Sequence, residues 1–137
     1  LARIAAAARR NLRRALLALE SAHVTGGEGE GGAVDWEAYV REIAADVRQE
    51  QSPKRLYLVR GKLYELLVNC IPPEVIIRQL ALELMPKLDD ELRASVAQHA
   101  AFYEHRMQEG SKAIFHLEAF VARFMADYKN FLLHAMA

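Results

Sequence analysis

Residues 110–125 have the sequence GSKAIFHLEAFVARFM, which predicts a helix with apolar residues on two sides. With about 100° between successive residues, one apolar stripe follows helical spacing and a second lies about 150° away. The first stripe comprises Ile114, Leu117, Val121, Phe124, Tyr128 and Phe131. The second comprises Phe115, Ala119, Ala122, Ala126 and Leu133. A helix at the surface of a domain needs only one apolar face, so this segment is predicted to be covered on two sides.

The helix that precedes Cys70 repeats this pattern. Its first stripe comprises Leu56, Val59, Leu63, Leu66 and Cys70, and its second comprises Tyr57, Gly61, Tyr64, Val68 and Ile71. Two interpretations are open: such helices are central within their own domain, or they leave a surface for a partner. The alanines favour a partner, because small residues let another helix approach closely. The predicted subunit-interface residues are Tyr57, Tyr64, Val68, Phe115, Ala119, Ala122, Ala126 and Leu133.

Start and stop signals divide residues 35–137 into five helices joined by short turns, which is typical of a helical bundle. Asp35, Ser52 and Ser111 are the N-cap candidates, and Pro53 follows Ser52 at a first-turn position. Gly110 is predicted to end the fourth of these helices as its C′ residue. No alternating apolar pattern or Asn-Gly hairpin indicates a strand.

A glycine-rich segment separates this bundle from the start of the chain. Residues 25–32, TGGEGEGG, contain five glycines in eight positions, so we predict a flexible linker over residues 25–34. Residues 1–24 have helical periodicity. The predicted fold is therefore all-α, with a bundle of about five helices over residues 35–137 preceded by one or two helices.

Composition limits the classes of function. The 137 residues carry 18 basic and 18 acidic side chains, and a domain that binds DNA by itself usually has a basic excess. The single cysteine, Cys70, excludes a disulfide framework and is predicted to be a small core residue. No apolar run approaches the roughly 18 residues of a membrane span. The chain begins LARIAAAARR without an initiator Met, so we expect it to be a fragment.

Neither a metal site nor a catalytic site is predicted. His99, His105 and His116 lie near Glu104 and Glu118, but no Glu precedes a His by three residues as in di-iron bundles, and the side chains diverge. No GxxxxGK[ST] phosphate loop, nucleophile elbow or acid–base pair of carboxylates is present in the sequence. We therefore expect this chain alone to have no cofactor and no enzymatic activity, including ATP hydrolysis.

An arginine run lies at the start of the chain. The first 14 residues contain no acidic residue and five arginines, which are Arg3, Arg9, Arg10, Arg13 and Arg14. In one continuous helix, residues 9 and 13 and residues 10 and 14 would form i, i+4 pairs of like charge. These pairs would repel each other, and a bound anion would relieve the repulsion. A solvated charged face and an anion-binding face are both open interpretations.

Several long stretches resemble a known family. LVRGKLYELLVNCIPPEVI, residues 58–76, and AFYEHRMQEGSKAIFHLEAFVARFMADYKNFL, residues 101–132, resemble the C-terminal region of a small subunit of eukaryotic replication factor C, the sliding-clamp loader. RRNLRRALL, residues 9–17, resembles the end of the AAA-type lid of such a subunit. DWEAYV, residues 35–40, resembles the start of its helical collar. The resemblance covers nearly the whole chain.

This resemblance implies a role in a nuclear complex for DNA replication and repair. Five related subunits would join through their collars, bind ATP and Mg at subunit interfaces, and hold the sliding clamp and primer-template DNA through modules absent from this chain. Residues 1–24 would end the lid, and residues 35–137 would form the collar. Arg13 falls on the position of the sensor-two arginine that contacts nucleotide. The alternative is an unrelated helical domain that binds nucleic acid through its basic start.

Overall fold

The computed structural model describes residues 2–8, 10–24 and 35–135, in which all regular structure is helical, as the sequence predicted. The chain divides into two compact units, Leu1–Ala38 and Tyr39–Ala137. The predicted linker, residues 25–34, lies outside the described residues. None of the helices in the described ranges is long and apolar enough to cross a membrane.

Among the described residues, two helices precede the glycine-rich segment, within the predicted one or two. Helix α1 spans Ala2–Ala7 and α2 spans Leu12–Val24. Arg10 between them has a φ of 64°, and Asn11 caps α2 by accepting a hydrogen bond from the Arg14 backbone at 3.1 Å. The predicted i, i+4 pairing of Arg10 with Arg14 in a continuous helix is therefore wrong. Arg9, the other member of the predicted cluster, lies outside the described residues.

Five α-helices and one short 3-10 helix follow, with bounds close to those predicted. They are α3 (Asp35–Gln49), α4 (Pro53–Val68), α5 (Pro73–Leu84), the 3-10 helix Met85–Lys87, α6 (Asp90–Glu109) and α7 (Ala113–Ala135).

Helix α7 organises the bundle, because it packs against α4, α5 and α6, and α5 packs against α6. Arg60 of α4 pairs with Glu118 at 3.5 Å, and His99 of α6 contacts Asp127 at 3.0 Å. Glu118 and Asp127 are nine positions apart, about 180° around the helix, so α4 and α6 flank α7 on opposite sides. The most deeply buried side chains include Ile43, Val59, Leu63, Ile76, Leu80, Leu117, Phe120 and Val121.

The two ends of α4 are set by local signals. At its start, the Ser52 hydroxyl accepts a hydrogen bond from the Arg55 backbone at 3.1 Å, and Pro53 occupies the first turn, as predicted. At its end, the Cys70 and Ile71 backbone N–H groups donate to the carbonyls of Leu67 and Leu66, which is a Schellman motif. Cys70 has a φ of 60° and is exposed, so its predicted place in the core is wrong. It holds the C′ position that glycine usually occupies.

Gly110, unlike Cys70, does not adopt a left-handed conformation. Its backbone is extended, with φ −96° and ψ 162°. It is the C-cap of α6, and the predicted C′ role is wrong. A Cβ at this position would lie 2.6 Å from Nε2 of His116 and 3.2 Å from the Arg106 carbonyl, so close approach favours glycine here. Helix α7 then begins at Ala113, which makes Lys112, not Ser111, the residue before the helix.

Candidate subunit interface

Helix α4 exposes the second apolar face that the sequence predicted. Val59, Leu63 and Leu66 on its first face are buried in the bundle. On the second face Tyr57 is 75% exposed, Val68 78% and Tyr64 44%. Gly61 lies between these residues and has open space where a Cβ would be, so it leaves a gap between the tyrosines.

Helix α7 also keeps its second face open. Phe115 is 51% exposed and Leu133 59%, whereas Ile114 and Leu117 beside Phe115 are buried. Ala126 is exposed, and Ala119 and Ala122 are half-buried. Within residues 2–8, 10–24 and 35–135, these faces are therefore not fully covered, which favours the interpretation that they leave a surface for a partner. That another subunit covers them stays a prediction.

An ion pair joins the two faces. The Arg60 guanidinium lies 3.5 Å from the Glu118 carboxylate, with 35% and 23% of the two side chains exposed. Arg60 is also 5.9 Å from the centre of the Tyr64 ring. A side-chain hydrogen bond with Tyr64, followed by the charge of Glu118, raises the pKa of Arg60. Glu118 directly precedes Ala119, so this pair borders both apolar faces and makes them one continuous surface.

We call this the α4/α7 surface and define it by Tyr57, Arg60, Tyr64, Phe115, Glu118, Ala119 and Ala122. Lys112 lies 5.8 Å from the Phe115 ring centre, so two of the exposed aromatic rings each have a cation beside them. Such a surface offers apolar area for burial, with Lys112 and the Arg60–Glu118 ion pair at its border. Sequence periodicity found its aromatic and alanine residues but missed Arg60 and Glu118. Arg60 lies three residues after Tyr57, and Glu118 lies three residues after Phe115. This helical spacing was the sequence signal that could have placed both residues beside the second apolar faces.

A polar cluster on the other side of α7 resembles a catalytic triad in composition only. The Ser95 hydroxyl donates to Oδ2 of Asp127 at 3.1 Å, and His99 Nε2 contacts the same oxygen at 3.0 Å. A nucleophilic serine must bond to the histidine, which in turn bonds to the carboxylate. Here the serine bonds to the aspartate, so the cluster ties α6 to α7. Among the residues that the structure describes, no three His, Cys, Asp or Glu side chains form a possible metal site.

The arginine predicted to contact nucleotide lies in the first turn of α2. Arg13 is exposed there, two residues after the Asn11 cap, so its side chain is accessible to solvent. Arg14, the next residue, pairs instead with Glu37 within the same compact unit. The nucleotide contact of Arg13 stays a prediction.

Comparison with known proteins gives a consistent set of relatives. Residues 36–132 match the family model described as "Replication factor C subunit 3, C-terminal domain". The chain is 60% identical over 136 residues to replication factor C subunit 3 of Arabidopsis thaliana, covering 96% of this chain and 38% of that protein. It is 58% identical over 136 residues to replication factor C subunit 5 of Oryza sativa subsp. japonica, with the same two coverages. It is 52% identical over 134 residues to human replication factor C subunit 3, covering 95% of this chain and 38% of the relative.

Proposed function

This chain belongs to the replication factor C subunit 3 family, and from that membership we propose that residues 35–137 are the collar through which it joins the other subunits of a clamp loader. The chain spans 38% of the length of these relatives, so the activity of the whole protein is part of the proposal. Membership in this family excludes the alternative of an unrelated helical domain. The helix break at Arg10 also gives no support to a continuous basic face for nucleic acid.

The single observation that carries the proposal is the open, continuous α4/α7 surface. Tyr57, Tyr64 and Phe115 expose about half or more of their area, although each belongs to a helix whose opposite face is buried. Aromatic residues and arginine are the residues that contribute most to binding at protein interfaces. The adjacent alanines allow a second helix to approach closely. This combination fits association between helices better than it fits contact with solvent.

The remaining parts of the proposal follow from the family. A complete clamp loader would use ATP and Mg at its subunit interfaces, and its lid would include residues 1–24, with Arg13 facing nucleotide. The sliding clamp and primer-template DNA would be held by parts of the protein beyond this chain. The site of action would be the nucleus, in replication and repair. This chain alone is proposed to be an assembly module without ATPase activity.

The test is pairwise co-expression of this chain with each of the other four replication factor C subunits of one species. We expect direct binding to at least one of them, and loss of binding on Ala122→Glu, because a carboxylate left unpaired in a desolvated contact costs roughly several kcal/mol. Gln98→Glu adds the same charge at an exposed position of α6 and should bind as the unchanged chain does.

Circular dichroism and thermal melting of the free chain accompany the binding assay. Lost binding with an unchanged melting temperature supports the proposal. If Ala122→Glu melts far below the unchanged chain, then Ala122 belongs to the core of the bundle. If the unchanged chain binds none of the four subunits, the proposed function is wrong.

A further inference from the structure

Helix α2 keeps its leucines exposed and turns smaller residues inward. Leu12, Leu16 and Leu17 are 74%, 58% and 60% exposed. The half-buried residues of α2 share one side, within about 100° around the helix axis. They are Arg14, Ala15, Ala18 and Ala22. Burial of apolar area alone would turn the leucines inward, because a leucine buries more apolar surface than an alanine. A different contact therefore fixes the rotation of α2 about its own axis.

An ion pair between Arg14 and Glu37 lies on this half-buried side of α2. Nη2 of Arg14 is 2.5 Å from Oε2 of Glu37 in the first turn of α3, and the two side chains are 31% and 12% exposed. Nε of Arg14 is buried and has no hydrogen-bond partner among the described residues. The guanidinium therefore depends on Glu37, because a partly buried cation without a partner is unfavourable. Both residues belong to the compact unit Leu1–Ala38.

The connection between α2 and α3 does not impose this rotation. Residues 25–32 contain five glycines in eight positions, a composition typical of flexible connections. The rotation of α2 is thus set by its contacts, of which the Arg14–Glu37 pair is charged and specific.

The same ion pair leaves Arg13 available to a ligand. Arg13 precedes Arg14 by one position, so it projects about 100° away around α2, and it is exposed. Its guanidinium has no hydrogen bond or ion pair with any residue that the structure describes. Two adjacent arginines therefore differ in availability, because Glu37 neutralises Arg14 and not Arg13.

We infer that Glu37 is a positioning residue for Arg13, because its ion pair with Arg14 fixes the rotation of α2 and so presents Arg13 to an anionic ligand. The inference rests on the proposed function for that ligand, which is the nucleotide phosphate that Arg13 would face. Glu37 acts through Arg14 and does not itself contact the ligand. Without the pair, α2 is free to rotate and to bury leucines in place of alanines, and the two arginines become equivalent.

The test measures how fast each arginine of this chain reacts with phenylglyoxal, an arginine-specific reagent, with tandem mass spectrometry to resolve Arg13 from Arg14. In the unchanged chain we expect Arg13 to react roughly fivefold faster, because ion pairing and partial burial both protect Arg14. Glu37→Gln removes the charge and keeps the shape of the side chain, so Arg14 should then react about as fast as Arg13. Glu20→Gln, at an exposed position of α2, is the matched control and should leave both rates unchanged.

Reversal of the pair tests the charge pairing itself. In Glu37→Arg alone the new arginine faces Arg14 and should react quickly, whereas in Glu37→Arg combined with Arg14→Glu it should react as slowly as Arg14 does in the unchanged chain. Far-ultraviolet circular dichroism of Glu37→Gln should match that of the unchanged chain, because α2 changes its rotation and not its helix content.

The inference is wrong if Arg13 and Arg14 react equally in the unchanged chain, if Glu37→Gln leaves the rate of Arg14 unchanged, or if the double reversal does not protect the new arginine. It is also wrong if Glu37→Gln loses helix, because the pair would then only hold α2 folded. These results leave the proposed function intact, since neither Arg14 nor Glu37 belongs to the α4/α7 surface. An unchanged chain that binds no other subunit overturns that function and leaves the arginine rates as they are.

Discussion

Substitution of Tyr57 by alanine is the change that best distinguishes a role in subunit assembly from a role in folding. Tyr57 is 75% exposed on α4, whereas Leu63 on the opposite face of the same helix has no exposed area. A tyrosine side chain presents roughly 200 Å², so about 150 Å² remains to be buried by a partner. At about 25 cal/mol per Å² this corresponds to an upper value of about 4 kcal/mol.

Association has ordering and desolvation costs that reduce this figure, and truncation of an aromatic anchor typically weakens binding by about 2 kcal/mol or more. We therefore expect Tyr57→Ala to weaken binding to the partner on the α4/α7 surface by roughly thirtyfold. The free chain should lose less than about 1 kcal/mol of stability, because the ring has few contacts to lose. Leu63→Ala, the matched control, should lose about 2–5 kcal/mol of stability through an internal cavity.

The assay pairs isothermal titration calorimetry against the purified partner with urea denaturation of each free variant. The reasoning is refuted if Tyr57→Ala binds within twofold of the unchanged chain. It is also refuted if Tyr57→Ala loses as much stability as Leu63→Ala, because the ring would then be part of the core.

Two further predictions concern stability. Cys70→Gly should raise the free energy of unfolding by about 0.5–1 kcal/mol, because glycine adopts a φ of 60° without the steric cost that a side chain has there; a urea midpoint at or below that of the unchanged chain would contradict this. Burial, followed by the hydrogen bond to Glu65, raises the pKa of Tyr39 from 10.0 to about 12. The folded chain thus holds this proton more tightly than the unfolded chain, so the associated stability is present below about pH 10 and is lost as the pH rises towards 12. Tyr39→Phe should therefore flatten the loss of stability over that range and remove the latest step from a tyrosinate absorbance titration; a titration identical to that of the unchanged chain would contradict the assignment.

Periodicity predicted the helices and most of the exposed residues of the α4/α7 surface because both depend on which residues share a helix face. Leu117, in the first stripe of α7, is buried, and Phe115, in the second stripe, is exposed. The same counting missed Phe120 and Met125, which are buried although they belong to neither stripe. Helix α7 contacts three other helices, so its buried face is wider than a single stripe. The width of a face depends on the neighbours that the helix meets, which its own sequence does not specify.

The errors occurred where backbone geometry or distant contacts decide the outcome. Cys70 takes the left-handed position because α4 must end before Pro72, and no glycine is available there. Gly110 has an extended backbone, and the close approach of His116 to it comes from a residue six positions further along the chain. The break between α1 and α2 contains neither glycine nor proline, so Asn11 was its only sequence signal. The Arg60–Glu118 pair joins residues 58 positions apart, and periodicity carries no information about such pairs.

The exposed thiol of Cys70 gives the chain a natural attachment point for a reporter group. It is the only cysteine in the sequence, so a maleimide dye or spin label would modify one position without any engineered mutation. Because Cys70 follows α4 two residues after Val68, the label would sit at one end of the α4 face described above. Its fluorescence anisotropy or spin mobility would then follow the arrival of a neighbouring subunit in real time, and protection of the thiol from alkylation would record the same event chemically.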